Sequence, residues 1–285
     1  MSTILVTGAT GTIGSQVVKA LAGRGHTIRA AARGEDKAAK VRALGATPVD
    51  FEYTDASSIA RAVEGVERLF LVTPFTADQV ELAGRVVSAA KKAGVKHVVK
   101  LSAIGADVEP GIQLGRWHRA VEKEIEASGL SYTLLRPNNF FENFVNFYGP
   151  DAQGNIYLPW GSAKCSFIAG SDIARVAVNA LTEDGHAGRA YELSGPEAIG
   201  IADAAETLSK VTGRKITYVD VPESAAKSAM LGLGMPGWMV DAMMELHAID
   251  KAGYAAGVTD TVEKLTGQKA RTFTDFAHEN ASKWR

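Results

Sequence analysis

Apolar residues recur along the first half of the chain in short runs separated by segments of helical period. The runs Ile4–Val6, Ile28–Ala31, Leu69–Val72, His97–Leu101 and Tyr132–Leu135 predict buried strands, with a weaker one at Thr47–Phe51. Between them lie amphipathic stretches such as Thr12–Ala22, which puts Ile13, Val17, Ala20 and Leu21 on one face. Strand and helix alternating at crossover spacing predict a parallel sheet covered on both faces, an α/β doubly wound sheet of Rossmann type. After Pro137 the rhythm changes. The aromatic-rich NNFFENFVNFYGP is followed by strand-like pieces at Asn155–Leu158 and Cys165–Ile168. A helix at Ser171–Leu181 and a strand at Ala190–Leu193 are expected to return to the main sheet, and the remainder reads as mostly helical.

The strongest local signal is LVTGATGTIGSQVV, where Gly8, Gly11 and Gly14 follow a buried strand and open a helix. That context suits the pyrophosphate of a dinucleotide, because small residues expose backbone N–H groups and the helix N-terminus favours negative charge. The spacing departs by one residue from the commonest glycine fingerprint; a tight turn without a ligand is the bland alternative. Residues 1–150 are therefore expected to form a dinucleotide-binding Rossmann domain, rejoined by 171–195, with 151–285 as a smaller substrate-covering part. The second strand ends in Arg33 with no acid at its tip, and Lys37 follows one turn later. Two cations there suit a 2′-phosphate, so the expected cofactor is NADP(H).

Composition narrows the classes. The 285 residues are 46% hydrophobic and 22% charged, with a formal net charge of −1, so nothing draws the chain toward nucleic acid or an anionic membrane. A single cysteine, Cys165, leaves no internal disulfide and no cysteine-built metal site, and no metal is expected. There is no secretory pattern at the start and no apolar run near the ~20 residues that span a bilayer, so a cytoplasmic protein is expected.

The TGATGTIG turn, Arg33, VTPF after the fourth strand, His118 with Glu122, and LRPNNFFENF together resemble the NmrA-like family of atypical short-chain dehydrogenases/reductases. The resemblance covers most of the chain, including DIARVAVNALTEDGHAGRAYELSGPEA, and is closest in pattern to NADPH-dependent quinone and triphenylmethane-dye reductases. It implies that Gly8, Ala9, Thr10, Gly11, Thr12 and Ile13 hold the pyrophosphate and Arg33 the 2′-phosphate. It places Thr73, Pro74 and Phe75 along the cofactor and the turn at Asn138, Asn139 and Phe140 near the nicotinamide. Glu52–Tyr53 stand where relatives often carry an Asp–aromatic pair near the adenine.

Within QLGRWHRAVEKEIEASGLSYTLLRP, the helical stripe Leu114, Trp117, Val121, Ile125 is interrupted by His118, with Glu122 one turn on. Typical short-chain dehydrogenases carry a tyrosine and, four residues later, a lysine on this helix. Aligned through Glu122 and SGLSYTLLRP, those places hold Leu114 and His118. The proton-donating phenol is missing, which disfavours reduction of an unactivated ketone. His118 reads either as a helper acid or polar contact oriented by Glu122, or as a satisfied, semi-buried histidine.

Phe140, Phe144, Phe147 and Tyr148 have the spacing of a core stripe, while Phe141 and Asn139 lie off it and are expected to reach the nicotinamide pocket. Met239 and Met243 suit either core packing or a permissive wall for flat substrates. The leading expectation is an NADPH-dependent reductase passing hydride to a quinone, azo or triphenylmethane dye, or iminium. A non-catalytic NADP(H)-binding redox sensor is the alternative. The expected partner is a small aromatic or quinonoid substrate; nothing in the sequence specifies an oligomer.

Overall fold

The computed structural model describes residues 1–285. In chain order the protein begins with β1 (Thr3–Val6), α1 (Thr12–Leu21), β2 (Thr27–Ala32), α2 (Glu35–Ala43), β3 (Thr47–Asp50), α3 (Ala56–Val63), β4 (Arg68–Leu71), α4 (Gln79–Lys92), β5 (His97–Leu101), α5 (Gln113–Ser128) and β6 (Ser131–Pro137). Then come α6 (Asn143–Asn146), β7 (Asn155–Leu158), β8 (Lys164–Cys165), α7 (Gly170–Thr182), β9 (Arg189–Leu193), β10 (Ile199–Gly200), α8 (Ile201–Thr212) and β11 (Thr217–Asp220). The helices α9 (Glu223–Gly232), α10 (Gly237–Lys251), α11 (Thr261–Thr266) and α12 (Phe273–Asn280) complete the chain.

The main sheet has seven strands in the order β3-β2-β1-β4-β5-β6-β9, and the first six pair in parallel. Order reverses between β1 and β4, the switch point at which doubly wound sheets open a crevice at their carboxyl ends. The expected return of α7 and β9 to this sheet is observed, with α7 beside α1. One face is sealed by Leu5, Ile59, Leu69, Leu71, Val86, Val98, Val121 and Ile125. Burial on both faces explains why these strands read as continuous apolar runs.

By compactness the first unit comprises 1–111, 115–137 and 170–192, and the second 112–114, 138–169 and 193–285. Segment 138–150 thus groups with the second unit, whereas the expected boundary at residue 150 had placed it in the first. Its aromatics explain the grouping: Phe141, Phe144 and Tyr148 are buried with Trp160, Phe167, Phe273, Phe276 and Trp284 in one core.

Two local expectations change. Helix α6 lasts four residues, so the aromatic stripe breaks and Phe147 stands 78% exposed. The strand expected at 165–168 is only Lys164–Cys165, paired with β10, because the Ser166 N–H turns to the Ala255 carbonyl; Ile168 instead bridges Phe140. No helix is long and apolar enough to cross a membrane.

Gly14 shows what the glycine turn requires of its own chain. A Cβ there would lie 2.2 Å from the Gly8 carbonyl oxygen. Gly14→Ala is expected to destabilise the protein by about 1–3 kcal/mol through overpacking, outweighing the gain of about 1 kcal/mol that alanine brings to a helix interior. Urea unfolding checks this; an increase in stability would show that the turn yields.

Candidate functional site

The turn between β1 and α1 is built from backbone. Gly8 adopts φ 60°, where a Cβ would also press on Val72 at 3.0 Å. Gly11 N–H donates to the Gly8 carbonyl at 2.9 Å, closing the turn, and Gly11 caps α1 with extended backbone and no capping side chain. First-turn N–H groups of a helix have no intrahelical acceptor, so an uncapped terminus suits an anion. Thr7 Oγ1 accepts from the Val72 N–H at 2.8 Å and ties the turn to the loop after β4.

At the tip of β2, Arg33 is 74% exposed and is paired with the carboxylate of Glu52, which follows β3. An acid therefore does stand beside Arg33; the sequence hid it because it arrives from the neighbouring strand. A pair this open contributes ~0–1 kcal/mol, so a more demanding anion can draw the guanidinium away. Lys37 is exposed in the first turn of α2. Tyr53 donates to the Val72 carbonyl, and burial pushes its phenol up to about 12.

Thr73 and Pro74 are half-buried and Phe75 is exposed, its ring edge-to-face with Trp117 at 6.5 Å. Just beyond them, Thr76 Oγ1 and Gln79 Nε2 are buried without a hydrogen-bond partner. Buried polar atoms are nearly always hydrogen-bonded, so these two are open to a water or a ligand. The cradle, the cation at β2 and these orphans fit a phosphorylated dinucleotide.

On α5, Glu122 is fully buried and its acceptor capacity is filled. Arg136 from β6 donates to both oxygens at 3.0 and 2.7 Å, Ser102 donates at 2.6 Å and Arg119 at 3.0 Å. These contacts hold the carboxyl below its usual value against the opposing effect of burial. Glu122 therefore does not orient His118. That role falls to Lys100, in the middle of β5, whose Nζ lies 2.9 Å from His118 Nδ1 and donates to the Leu101 carbonyl at 2.9 Å. Burial lowers Lys100 to about 7, and burial together with the Lys100 charge pushes His118 well below its usual value. The signal was a lysine directly after the apolar pair Val98–Val99 in the strand HVVKL, which a search for apolar runs passes over. Leu114 is half-buried at the start of α5.

In the second unit, Asn138 donates to Ser166 Oγ and the Ala255 carbonyl, both at 2.8 Å, and accepts from the Asn139 N–H at 2.8 Å. Asn139 Nδ2 donates to both carboxyl oxygens of Asp250, at 3.2 and 3.4 Å, and to Cys165 Sγ at 3.6 Å. Phe140 is half-buried. Phe141, expected to line a substrate pocket, is instead inside the aromatic core against Phe273 and Phe276, because that core needs a large ring there. Met239 and Met243 are half-buried on α10. Cys165 is fully buried and its thiol is pushed up by burial. No cluster of three or more His, Cys, Asp or Glu side chains is placed to hold a metal ion.

The chain and its fold are similar to known proteins. The NmrA-like family model matches residues 1–278. An NAD(P)H azoreductase from Xenophilus azovorans is 40% identical over 280 residues, covering 98% of each chain. The structure of NADPH-dependent quinone oxidoreductase QOR2 from Escherichia coli, complexed with NADPH, superposes with a TM-score of 0.85 at 29% identity, covering 97% of this chain and 99% of that one. Triphenylmethane reductase from Citrobacter sp., complexed with NADP(H), gives 0.84 at 26% identity, covering 98% and 99%.

Asp250 yields a pH-dependent expectation. Burial raises its carboxyl from 3.8 to about 7, opposed by the Asn139 hydrogen bonds. Between those values the folded state holds a proton that the unfolded state releases, so this group's contribution to stability falls as pH rises through the window and is lowest above it. Asp250→Asn is expected to be near neutral at about pH 4 and stabilising by on the order of 2–4 kcal/mol at about pH 8. Paired urea melts measure the difference; equal effects at both pH values would mean the carboxyl is not held protonated.

Proposed function

This chain belongs to the NmrA-like family, and on that premise we propose that it is an NADPH-dependent reductase handing hydride to a flat, conjugated, electron-poor acceptor. The observation that carries the reading is the glycine cradle at an uncapped helix N-terminus beside an exposed arginine, on a fold whose phenol position holds Leu114. When bound, the reduced nicotinamide supplies the hydride.

The residues divide the work of holding it. Backbone N–H groups of the Gly8–Ile13 turn bind the pyrophosphate, and Arg33, released from Glu52, takes the 2′-phosphate with Lys37 nearby. Thr73, Pro74 and Phe75 flank the cofactor, and Thr76 and Gln79 offer it the polar atoms that the fold leaves unpaired. Without a phenol at position 114, charge growing on an isolated ketone oxygen meets no acid from that place. A quinone delocalises the charge and a triphenylmethane cation is neutralised by hydride, so both suit this site, and positioning supplies most of the acceleration. The azo, quinone and triphenylmethane-dye activities of the relatives named above support the same acceptor class.

Purified protein with NADPH and a panel of quinones, azo dyes and triphenylmethane dyes tests the reading. Oxidation of NADPH above background with at least one class is expected. Tight NADP(H) binding with no turnover across the panel would sink the reductase and leave a cofactor sensor.

The cofactor preference has its own test. Arg33→Ala should weaken NADPH binding by on the order of 1.5–3 kcal/mol, roughly 10–100-fold, while leaving NADH nearly unchanged. Calorimetric titration with each cofactor reads it, and equal losses for both would assign Arg33 to something other than the 2′-phosphate.

A further inference from the structure

Lys100 is a wholly buried cation that the proposed reaction leaves unused. Its register partners on the flanking strands are Leu71 and Leu134. No carboxylate reaches its ammonium, because Glu122 is committed to Arg136, Arg119 and Ser102. Burying a cation this way costs far more than the methionine that would fill the same space.

The hydrogen bonds dictate where the neighbouring proton sits. A charged amine only donates, so while Lys100 is protonated His118 Nδ1 must accept and the imidazole proton must stand on Nε2. His118 is half-buried as a residue, whereas Lys100 is wholly buried. The pair forms a chain from a buried ammonium to the imidazole Nδ1, with the ring's remaining proton on Nε2.

We infer that Lys100 and His118 form a proton relay for acceptors whose reduction creates a strongly basic atom, diaryl azo compounds above all. The inference rests on the reductase reading. Hydride adds to one nitrogen of the N=N bond, and the π pair moves to the other. That nitrogen takes the proton of His118 Nε2 while Nδ1 takes one from Lys100. The azo group becomes a hydrazine and the reduced nicotinamide cofactor is oxidised. Lys100 is left as a neutral amine and the imidazole with its proton on Nδ1; a solvent proton at Nε2 and return of the Nδ1 proton to Lys100 reset the pair. A triphenylmethane cation takes hydride at carbon and uses no proton. Lys100 is the positioning residue; His118 delivers.

The relay is loaded when Lys100 is charged. Burial and Arg136 lower its pKa to about 7, and Glu122 opposes them. The other charged groups around it are Arg119 on α5 and Asp107, which pairs with Arg136; β4 and α4 contribute Leu71, Ala83, Val86 and Val87 to this side of the sheet. The loaded form is therefore populated below about pH 7 and lost above it.

The test uses the full chain with NADPH and single-turnover hydride transfer to methyl red and to crystal violet, from about pH 6 to about pH 9. With wild type, the ratio of azo to triphenylmethane rates should fall above about pH 7. Lys100→Met should lower that ratio by about 10²–10⁴-fold and abolish its pH dependence. His118→Gln keeps an amide donor but cannot pass a proton, and should lower the ratio likewise, which keeps the test valid should Lys100→Met not fold. Nitrogen NMR of histidine-labelled protein without cofactor should find the Nε2–H tautomer at about pH 6 in wild type, and a tautomer mixture in Lys100→Met. An unmoved ratio in either folded variant, or a wild-type Nδ1–H tautomer, overturns the relay alone. A wild type inert toward both acceptors overturns the reductase reading and the relay with it.

Discussion

The Glu122 carboxylate sets the terms for the chemistry around it. It is fully buried, and such a charge is tolerable only when hydrogen-bonded on every side. Arg136, Arg119 and Ser102 satisfy it, fastening α5 to the carboxyl ends of β5 and β6. Arg136 in turn reaches Asp107, extending the network into the loop after β5. Because the carboxylate is saturated, neither His118 nor Lys100 has a counter-ion to bond, and the two must satisfy each other. Burial then favours the uncharged form of both the imidazole and the amine.

A second constraint acts at the glycine turn, where two demands coincide. The chain needs Gly8 at positive φ and no Cβ at Gly14, so that the start of α1 can lie against the strand end. The same turn starts α1 without a capping side chain, and a helix N-terminus favours an anionic ligand. In the loop after β4, the polar atoms of Thr76 and Gln79 are buried and unpaired.

The second unit is organised differently. Its core is aromatic, with Trp160 stacked on Phe167 and Phe144 edge-on to both Phe167 and Tyr148. The polar contacts of Asn138, Asn139, Asp250 and Ser166 border that core, where rings cannot satisfy them and side-chain amides can. Phe141 belongs to the packing and not to a ligand surface, which is why a spacing argument misassigned it.

The sequence by itself determined the doubly wound sheet. Strands buried on both faces must be continuously apolar, and helices covering them must be amphipathic, so the alternation is written locally. The glycine turn and the arginine at the tip of β2 were legible for the same reason, since each is a matter of residue type at a fixed offset, while the absence of a phenol at position 114 is what the family resemblance implies. Tertiary structure alone decided who partners whom. Glu52 meets Arg33 from the next strand, Lys100 meets His118 across 18 positions, and Glu122 is claimed by Arg136 instead of the histidine one turn away. A charge buried in a strand carries no periodic signal, and its partner is chosen by the three-dimensional competition for hydrogen bonds, which no local pattern encodes.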